Sequence, residues 1–325
     1  MNWYENTIKL RIEWTSYCNA ACPGCVRNIR GDKINPLLQM NHLDEDTWNQ
    51  LLTDITDMDI VEVDFNGSVG DMIMHPRCTE FLHKLVTLKP KTFIRIATNG
   101  GARSTEFWQE MGTILKDQPH IAAFAIDGLE DTHHIHRRRT TYERVVENMM
   151  AFKSRGGSAK WVYTIFDHNV HQIEEADRRA ESMQVDFHLR NSCIGEEDLV
   201  TDDYAIKLEN TAKYPTYNKH YNTNLWEDSE FRTDHKCFAG FADRSVAIDY
   251  QGRVHPCTHH MDASYWGHDP EYEKVDGTVE IQPVFYLKDS SLKEILTNDW
   301  FNTTVLNAVA EARWDKCVRW CNVKS

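Results

Sequence analysis

From residue 9 to residue 192 the sequence alternates β-like runs with amphipathic, helix-like runs. That order dictates parallel strands with covering helices, because a parallel pair needs a crossover long enough to hold a helix. Strands are expected over residues 9–15, 61–66, 93–98, 121–126, 161–166 and 185–190. Helices are expected over 44–57, 77–88, 104–116, 141–153 and 172–182, each close to a Ser, Thr, Asp or Asn start signal or a Gly or polar stop. Six such units describe an α/β fold, a partial (β/α)6 barrel in preference to a closed eight-fold one.

In Val61-Glu-Val-Asp-Phe-Asn66 and Val185-Asp-Phe-His-Leu-Arg190 apolar and polar residues alternate strictly, and successive side chains of a strand point to opposite faces. With the apolar set against the helices, Glu62, Asp64, Asn66, Asp186, His188 and Arg190 point inward, joined by Arg11, Glu13, Arg95 and Asn99. Inside a barrel this stripe lines a polar cavity; a solvent-facing edge sheet is the alternative.

The 325 residues can bury a substantial core and hold a smaller unit beside it. Acidic side chains number 50 against 36 basic ones, a net charge of −14, which argues against nucleic acid bound by neutralising its phosphates. The 41% hydrophobic fraction contains no long uncharged apolar run, which argues against a membrane span. The first residues lack the basic-then-apolar order of a signal peptide, so a cytoplasmic location is expected. The nine cysteines are odd in number, and seven of them lie in close-spaced or loop-flanked sets that suit metal better than disulfides.

These patterns divide the chain into a barrel over residues 1–200, a polar connector without sustained period over 201–236, and a cysteine-bearing unit over 237–325. The last unit holds the hairpin-like Ser245-Val-Ala-Ile-Asp-Tyr-Gln-Gly-Arg-Val-His-Pro-Cys257, helical stretches at 291–298 and 302–312, and Cys317-Val-Arg-Trp-Cys321. Cys18, Cys22 and Cys25 form a C-x3-C-x2-C loop directly after the first strand, at the edge where α/β folds place functional loops. Three thiolates can hold three irons of a [4Fe-4S] cube and leave the fourth iron open to a cofactor or substrate. Zinc is the alternative, although it more often takes C-x2-C pairs and four ligands.

This loop ahead of six β/α units resembles that of the radical SAM superfamily, enzymes that reductively cleave S-adenosylmethionine (SAM). After the second strand, Asn66-Gly-Ser-Val-Gly-Asp71 is similar to the family's Gly-Gly-Glu segment, which receives the SAM amino group. Ala97-Thr-Asn-Gly-Gly101 resembles its Thr-Asn-Gly, and Ala125-Ile-Asp-Gly128 its Ser-Ile-Asp-Gly. Phe166-Asp-His-Asn169 and Arg190-Asn-Ser192 also resemble family segments. The resemblance implies that Gly67, Ser68, Gly70, Asp71, Asn99, Asp127, Asn169 and Arg190 bind SAM, and that Cys18, Cys22 and Cys25 hold the cluster that cleaves it to a 5'-deoxyadenosyl radical. By the same resemblance, that radical would take a hydrogen from the substrate. Three positions depart from the family: Gly24 stands where an aromatic residue is common, Asp71 replaces Glu, and Met72 replaces a frequent proline.

Cys237, Gly252 and Cys257 read C-x14-G-x4-C and, with the C-x3-C of Cys317 and Cys321, resemble SPASM and the shorter twitch domains. A full SPASM domain needs about seven cysteines for two extra clusters. The four here imply one auxiliary [4Fe-4S] cluster in a small α+β twitch-type domain, closed by thiolates and able to accept an electron from the substrate. A four-cysteine zinc site is the alternative. Gly252 would turn the hairpin that aims Cys257 at this site. Cys78 and Cys193 read as inert thiols. The run His133-His-Ile-His136-Arg-Arg-Arg139 reads as a solvated charge run, although this region reaches the SAM carboxylate in relatives.

The resemblance implies a radical SAM oxidoreductase that oxidises or cross-links a peptide side chain. A polar small molecule such as a sugar or cyclitol, dehydrogenated by the same chemistry, is the second substrate class and is favoured by the charged lining. Only 17 residues precede Cys18, too few for a leader-peptide recognition domain. A flavodoxin or ferredoxin would supply the reducing electron. Outside enzymes, the same cysteines would suit a zinc or iron-sulfur module that binds a partner.

Overall fold

Strands and helices alternate along the first 190 residues: β1 (Lys9–Ile12), α1 (Glu45–Asp54), β2 (Glu62–Asn66), α2 (Cys78–Leu88), β3 (Phe93–Thr98), α3 (Thr105–Leu115), β4 (His120–Ala125), α4 (Tyr142–Lys153), β5 (Ala159–Thr164), α5 (Ile173–Ser182) and β6 (Asp186–Arg190). This is a computed structural model, and it describes residues 2–29, 31, 33–190, 244–263, 271–273, 279–281 and 283–311. The expected barrel elements are all present, close to their expected limits. Asp44, Ser104 and Thr141 start α1, α3 and α4 by accepting the backbone N–H of Thr47, Phe107 and Arg144, which satisfies donors that a helix start leaves open.

The six strands pair in sequence order, all parallel. Register carries the polar stripe inward: Arg11 opposes Asp64 and Asp64 opposes Arg95, while Lys160 opposes Asp186. Arg11 Nη1 meets Asp64 at 2.7 Å and Arg95 Nε meets Glu62 at 3.0 Å. On the other face Leu10, Val63, Ile94, Phe124 and Trp161 are fully buried, each such side chain contributing about 1.5–3 kcal/mol. Trp14, just past β1, packs on Phe65 at 4.2 Å and Trp48 at 5.1 Å. This core anchors the end of β1, from which the cysteine loop departs.

The C-terminal hairpin does not form a sheet of its own. β7 (Ser245–Ile248), β8 (Arg253–His255) and β9 (Phe285–Tyr286) extend the barrel sheet to nine strands in the order β9-β8-β7-β1-β2-β3-β4-β5-β6. β7 runs parallel to β1 with Leu10 opposite Val246, and β8 returns antiparallel. Without β7, β1 would be an edge strand with a row of unpaired backbone groups. Gly252 turns the hairpin at φ +75°, and a Cβ there would stand 2.8 Å from Thr47 Cγ2, so both backbone and space call for glycine. The helix Leu292–Thr297 opens on a Ser291–Glu294 capping box. Beyond it the expected second helix begins as a wide π-type segment, Trp300–Val305, and ends at Ala310. The connector at 201–236 and Cys193, Cys237, Cys317 and Cys321 lie outside the described residues. Among the described residues no helix is long and apolar enough to cross a membrane.

Candidate active site

The cysteine loop is tied to the strand ends around it. Ala21 N donates to the Arg138 carbonyl at 3.0 Å, and Asp71 N donates to the Tyr17 carbonyl at 2.9 Å. Within the loop Cys25 N reaches the Cys22 carbonyl at 3.3 Å. Gly24 sits at φ +74°, a backbone region that the aromatic residue common at this position would enter only under strain. All three thiols are free, with Cys22 buried and Cys18 and Cys25 half-buried.

Burial pushes each thiol up, Cys22 to about 11 and Cys18 further, because a thiolate loses its water there. Opposing this, every sulfur faces an N–H. Asn99 Nδ2 lies 3.4 Å from Cys18 Sγ, and Arg137 Nη1 lies 3.9 Å from Cys22 Sγ. The backbone N–H groups of Ala20 and Arg27 serve Cys18 and Cys25. The thiols also feel one another's charge. Among the described residues no three His, Cys, Asp or Glu side chains converge on the spacing of a single ion; a cube is wider than an ion. Free thiols that lie close together, one of them buried, and already meet N–H donors are a donor set that suits an iron-sulfur cluster.

The Gly67–Gly70 turn after β2 fits against β1 with no room for side chains. A Cβ on Gly70 would stand 1.8 Å from the Thr15 carbonyl oxygen, and one on Gly67 would stand 1.9 Å from that of Gly70. Glu13, pointing inward as expected, holds this turn by accepting the N–H groups of Ser68 and Val69. Asp71 is buried, and its Oδ2 accepts from Thr98 Oγ1 at 2.9 Å and from Asn99 N and Nδ2 at 2.8 Å each. Its Oδ1 takes a long bond of 3.4 Å from Ile73 N. Burial raises this carboxyl to about 6, and those hydrogen bonds limit the rise. One carboxylate thus joins the ends of β2 and β3, and through Asn99 it reaches Cys18.

Asp127, past β4 and fully buried, accepts from Thr164 N at 2.7 Å, from Arg137 Nε at 2.6 Å, and shares a 2.8 Å contact with His136 Nδ1. Burial opposes its ionisation, but the Arg137 charge and the His136 hydrogen bond hold it well below the usual carboxylate range. Asn169, also fully buried, donates to the Asp127 and Thr164 carbonyls and accepts Phe166 N. Arg190 ends β6 in register with Thr164, exposed. Cys78 is buried as the first residue of α2.

The histidine and arginine run is only partly the solvated stretch expected: His134 and Arg139 are exposed, whereas His133 is 0% and His136 4% exposed. Local charge suggested solvent, whereas the Asp127 carboxylate at the strand end draws His136 and Arg137 inward. The available signal was a strand-end Asp followed closely by basic side chains. Glu13 as the clamp of the Gly67–Gly70 turn was also missed.

The Radical SAM superfamily model matches residues 12–180, just over half of the chain. The chain belongs to the radical SAM superfamily. No curated protein sequence is significantly similar to it. Streptococcus suis SuiB bound to S-adenosylmethionine aligns with TM-score 0.59 and 12% identity over 92% of this chain and 66% of that one. SuiB bound to its precursor peptide SuiA gives 0.61 and 14% over the same shares, so this chain spans just under two thirds of SuiB. anSMEcpe with bound AdoMet gives 0.59 and 14% over 91% of this chain and 79% of that one. At these identities the likeness is one of fold, that of a radical SAM enzyme whose family implies SAM and a [4Fe-4S] cluster.

Proposed function

We propose that Cys18, Cys22 and Cys25 hold the SAM-cleaving [4Fe-4S] cluster of this radical SAM enzyme, and that the reaction is hydrogen abstraction leading to oxidation or cross-linking of a peptide side chain. A cluster bound there supplies the electron for reductive cleavage of SAM. The observation that carries the reading is the convergence on these thiols of Asn99 from the end of β3 and Arg137, held by Asp127, from the end of β4.

The chain's own residues shape the SAM site. The close-packed Gly67-Ser68-Val69-Gly70 turn offers backbone to the methionyl amino group, and Asp71 Oδ1, with its one long bond among the described residues, accepts from it. Asn99 keeps its amide on Cys18, Asp127 and Asn169 brace the ends of β4 and β5, and Arg190 stands at the rim of β6. Cys257, buried just past the β8 hairpin, would with Cys237, Cys317 and Cys321, which lie outside the described residues, hold an auxiliary [4Fe-4S] cluster able to accept an electron from substrate. A flavodoxin or ferredoxin donates the first electron. The peptide reading draws on the fold shared with SuiB, which has been seen with its precursor peptide. The ion-paired inner face, Arg11 with Asp64 and Arg95 with Glu62, favours the second reading, dehydrogenation of a polar small molecule such as a sugar or cyclitol.

Anaerobic reconstitution tests the assignment. About eight irons per chain are expected, with SAM cleavage on strong reduction, and about four when Cys18, Cys22 and Cys25 are replaced by serine. Zinc uptake without iron absorbance would sink it. Incubation of the active enzyme with candidate peptides and cyclitols then separates the substrate classes by mass change.

A further inference from the structure

Of the three thiols, Cys22 is the most buried, and its sulfur has a guanidinium N–H within contact: Arg137 Nη1 stands 3.9 Å away, while the charges of Arg27 and Arg137 also act on Cys25. Arg27 is also charged and close in sequence, but it spends Nε on the Ser16 carbonyl at 3.0 Å and Nη1 on Asn28 Oδ1 at 3.2 Å. Arg137 is not a swinging surface side chain. Its Nε is fixed by Asp127 Oδ2 at 2.6 Å, and Asp127 is fixed in turn by Thr164 N and His136. Its neighbour Arg138 accepts Ala21 N, so backbone and side chain bind the cysteine loop together.

Asp127 balances one unit of the charge around Arg137, and three thiolates would bring further negative charge beside it. Reduction of a group held by those thiolates adds one more. A fixed guanidinium against one ligand sulfur favours that added electron, since hydrogen bonds and charge at the sulfurs set the potential of an iron-sulfur centre. We infer that Arg137 is a positioning residue that raises the reduction potential of the first cluster through its charged N–H contact with Cys22, Asp127 serving as the arm that aims it. The inference rests on the assignment of Cys18, Cys22 and Cys25 as cluster ligands.

The test is a potentiometric titration of the reconstituted full chain, following the electron paramagnetic resonance signal that changes when SAM is added, which marks the first cluster. R137Q is expected to shift the midpoint to lower potential. R137K, whose single ammonium cannot serve Asp127 and Cys22 in the same fork, shifts it less far in the same direction. R178Q, an exposed arginine on α5 paired with Glu175, leaves it in place. In protein labelled with 15N only at the arginine guanidinium, so that the backbone N–H of Arg27 on Cys25 stays silent, a hyperfine coupling to the reduced cluster is expected in the parent that is lost in R137K. Should R137Q fail to assemble, R137K decides, and an R137K midpoint equal to the parent's overturns the inference. A parent chain that takes up no iron sinks the ligand assignment and the inference with it.

Discussion

Mild acid should destabilise this protein through His133, a side chain that touches none of the cysteines. The ring is fully buried, with Nε2 2.9 Å from Thr140 Oγ1. Thr140 gives its own hydrogen to the Arg137 carbonyl at 2.7 Å, so Oγ1 accepts and His133 carries its proton on Nε2. Among the described residues Nδ1 has no partner, and a second proton there would be a buried donor with nothing to receive it. Burial accordingly lowers the ring from 6.5 to about 3, with the Asp127 charge pulling the other way. A folded value below the unfolded one means full stability above pH 6.5 and a loss as pH falls from 6.5 toward 3, because the unfolded chain takes up a proton the folded one refuses. At pH 5.5 the unfolded ring is about ten parts protonated to one part neutral, a loss of about 1.4 kcal/mol against about 0.1 at pH 7.5. Urea denaturation of the parent and His133→Gln, followed by tryptophan fluorescence at both pH values, isolates this contribution. The variant, neutral throughout, is expected to be the less stable at pH 7.5, and the gap is expected to narrow by about 1.3 kcal/mol at pH 5.5. Burial also lowers His42, His75, His120, His136, His168 and His188, but these titrate in both proteins and cancel in the difference. A gap that stays the same at the two pH values would refute the reasoning.

Two further substitutions probe the packing of the site. Gly70→Ala forces a Cβ to within 1.8 Å of the Thr15 carbonyl oxygen; backbone against backbone cannot yield as a side chain can, so a loss near about 3 kcal/mol is expected in urea, with reduced iron uptake. Ser68→Ala, two residues earlier, should stay within about 0.5 kcal/mol of the parent. Asp127→Asn keeps the shape of the side chain but strips the charge that balances Arg137, with an expected cost of about 3–5 kcal/mol. Combining it with Arg137→Gln should recover part of that cost in a double-mutant cycle, and strict additivity would show that the pair is not coupled.

The parts of the fold legible in the sequence were those governed by near neighbours. The two-residue period of β2 and β6 placed Asp64 and His188 on the inner face, since pleating is a local property. Asp44, Ser104 and Thr141 announced their helices because a cap acts on N–H groups two or three positions away. The pairing of β7 with β1 joins segments more than 200 residues apart, and no periodicity carries that information. Arg137 read as solvated for the same reason: its partners, Asp127 and Cys22, come from other turns of the chain. Strand parity turned Glu13 inward, but the two N–H groups it clamps lie 55 and 56 residues further on.

Glu13 shows why the three-cysteine loop and the C-terminal hairpin belong to one mechanical unit. Its backbone N–H bonds the Ile248 carbonyl at the end of β7 at 2.9 Å. Its carboxylate holds Ser68 N and Val69 N beyond β2, and it sits five residues before Cys18. One residue beyond Ile248, the buried Asp249 carboxylate takes Arg253 Nε at 2.6 Å and meets His255 Nε2 at 3.0 Å, which fixes β8 just ahead of Cys257. A displacement of β1 therefore disturbs the Gly67–Gly70 turn on one side and the hairpin bearing Cys257 on the other. Buried, charge-assisted bonds of this kind are worth about 1.5–3 kcal/mol each, and leaving one of their N–H groups unpaired costs a similar amount. The sheet has strong reason to keep β1 between β2 and β7, and with it a constant relation between the three-cysteine loop and the segment that leads to Cys257.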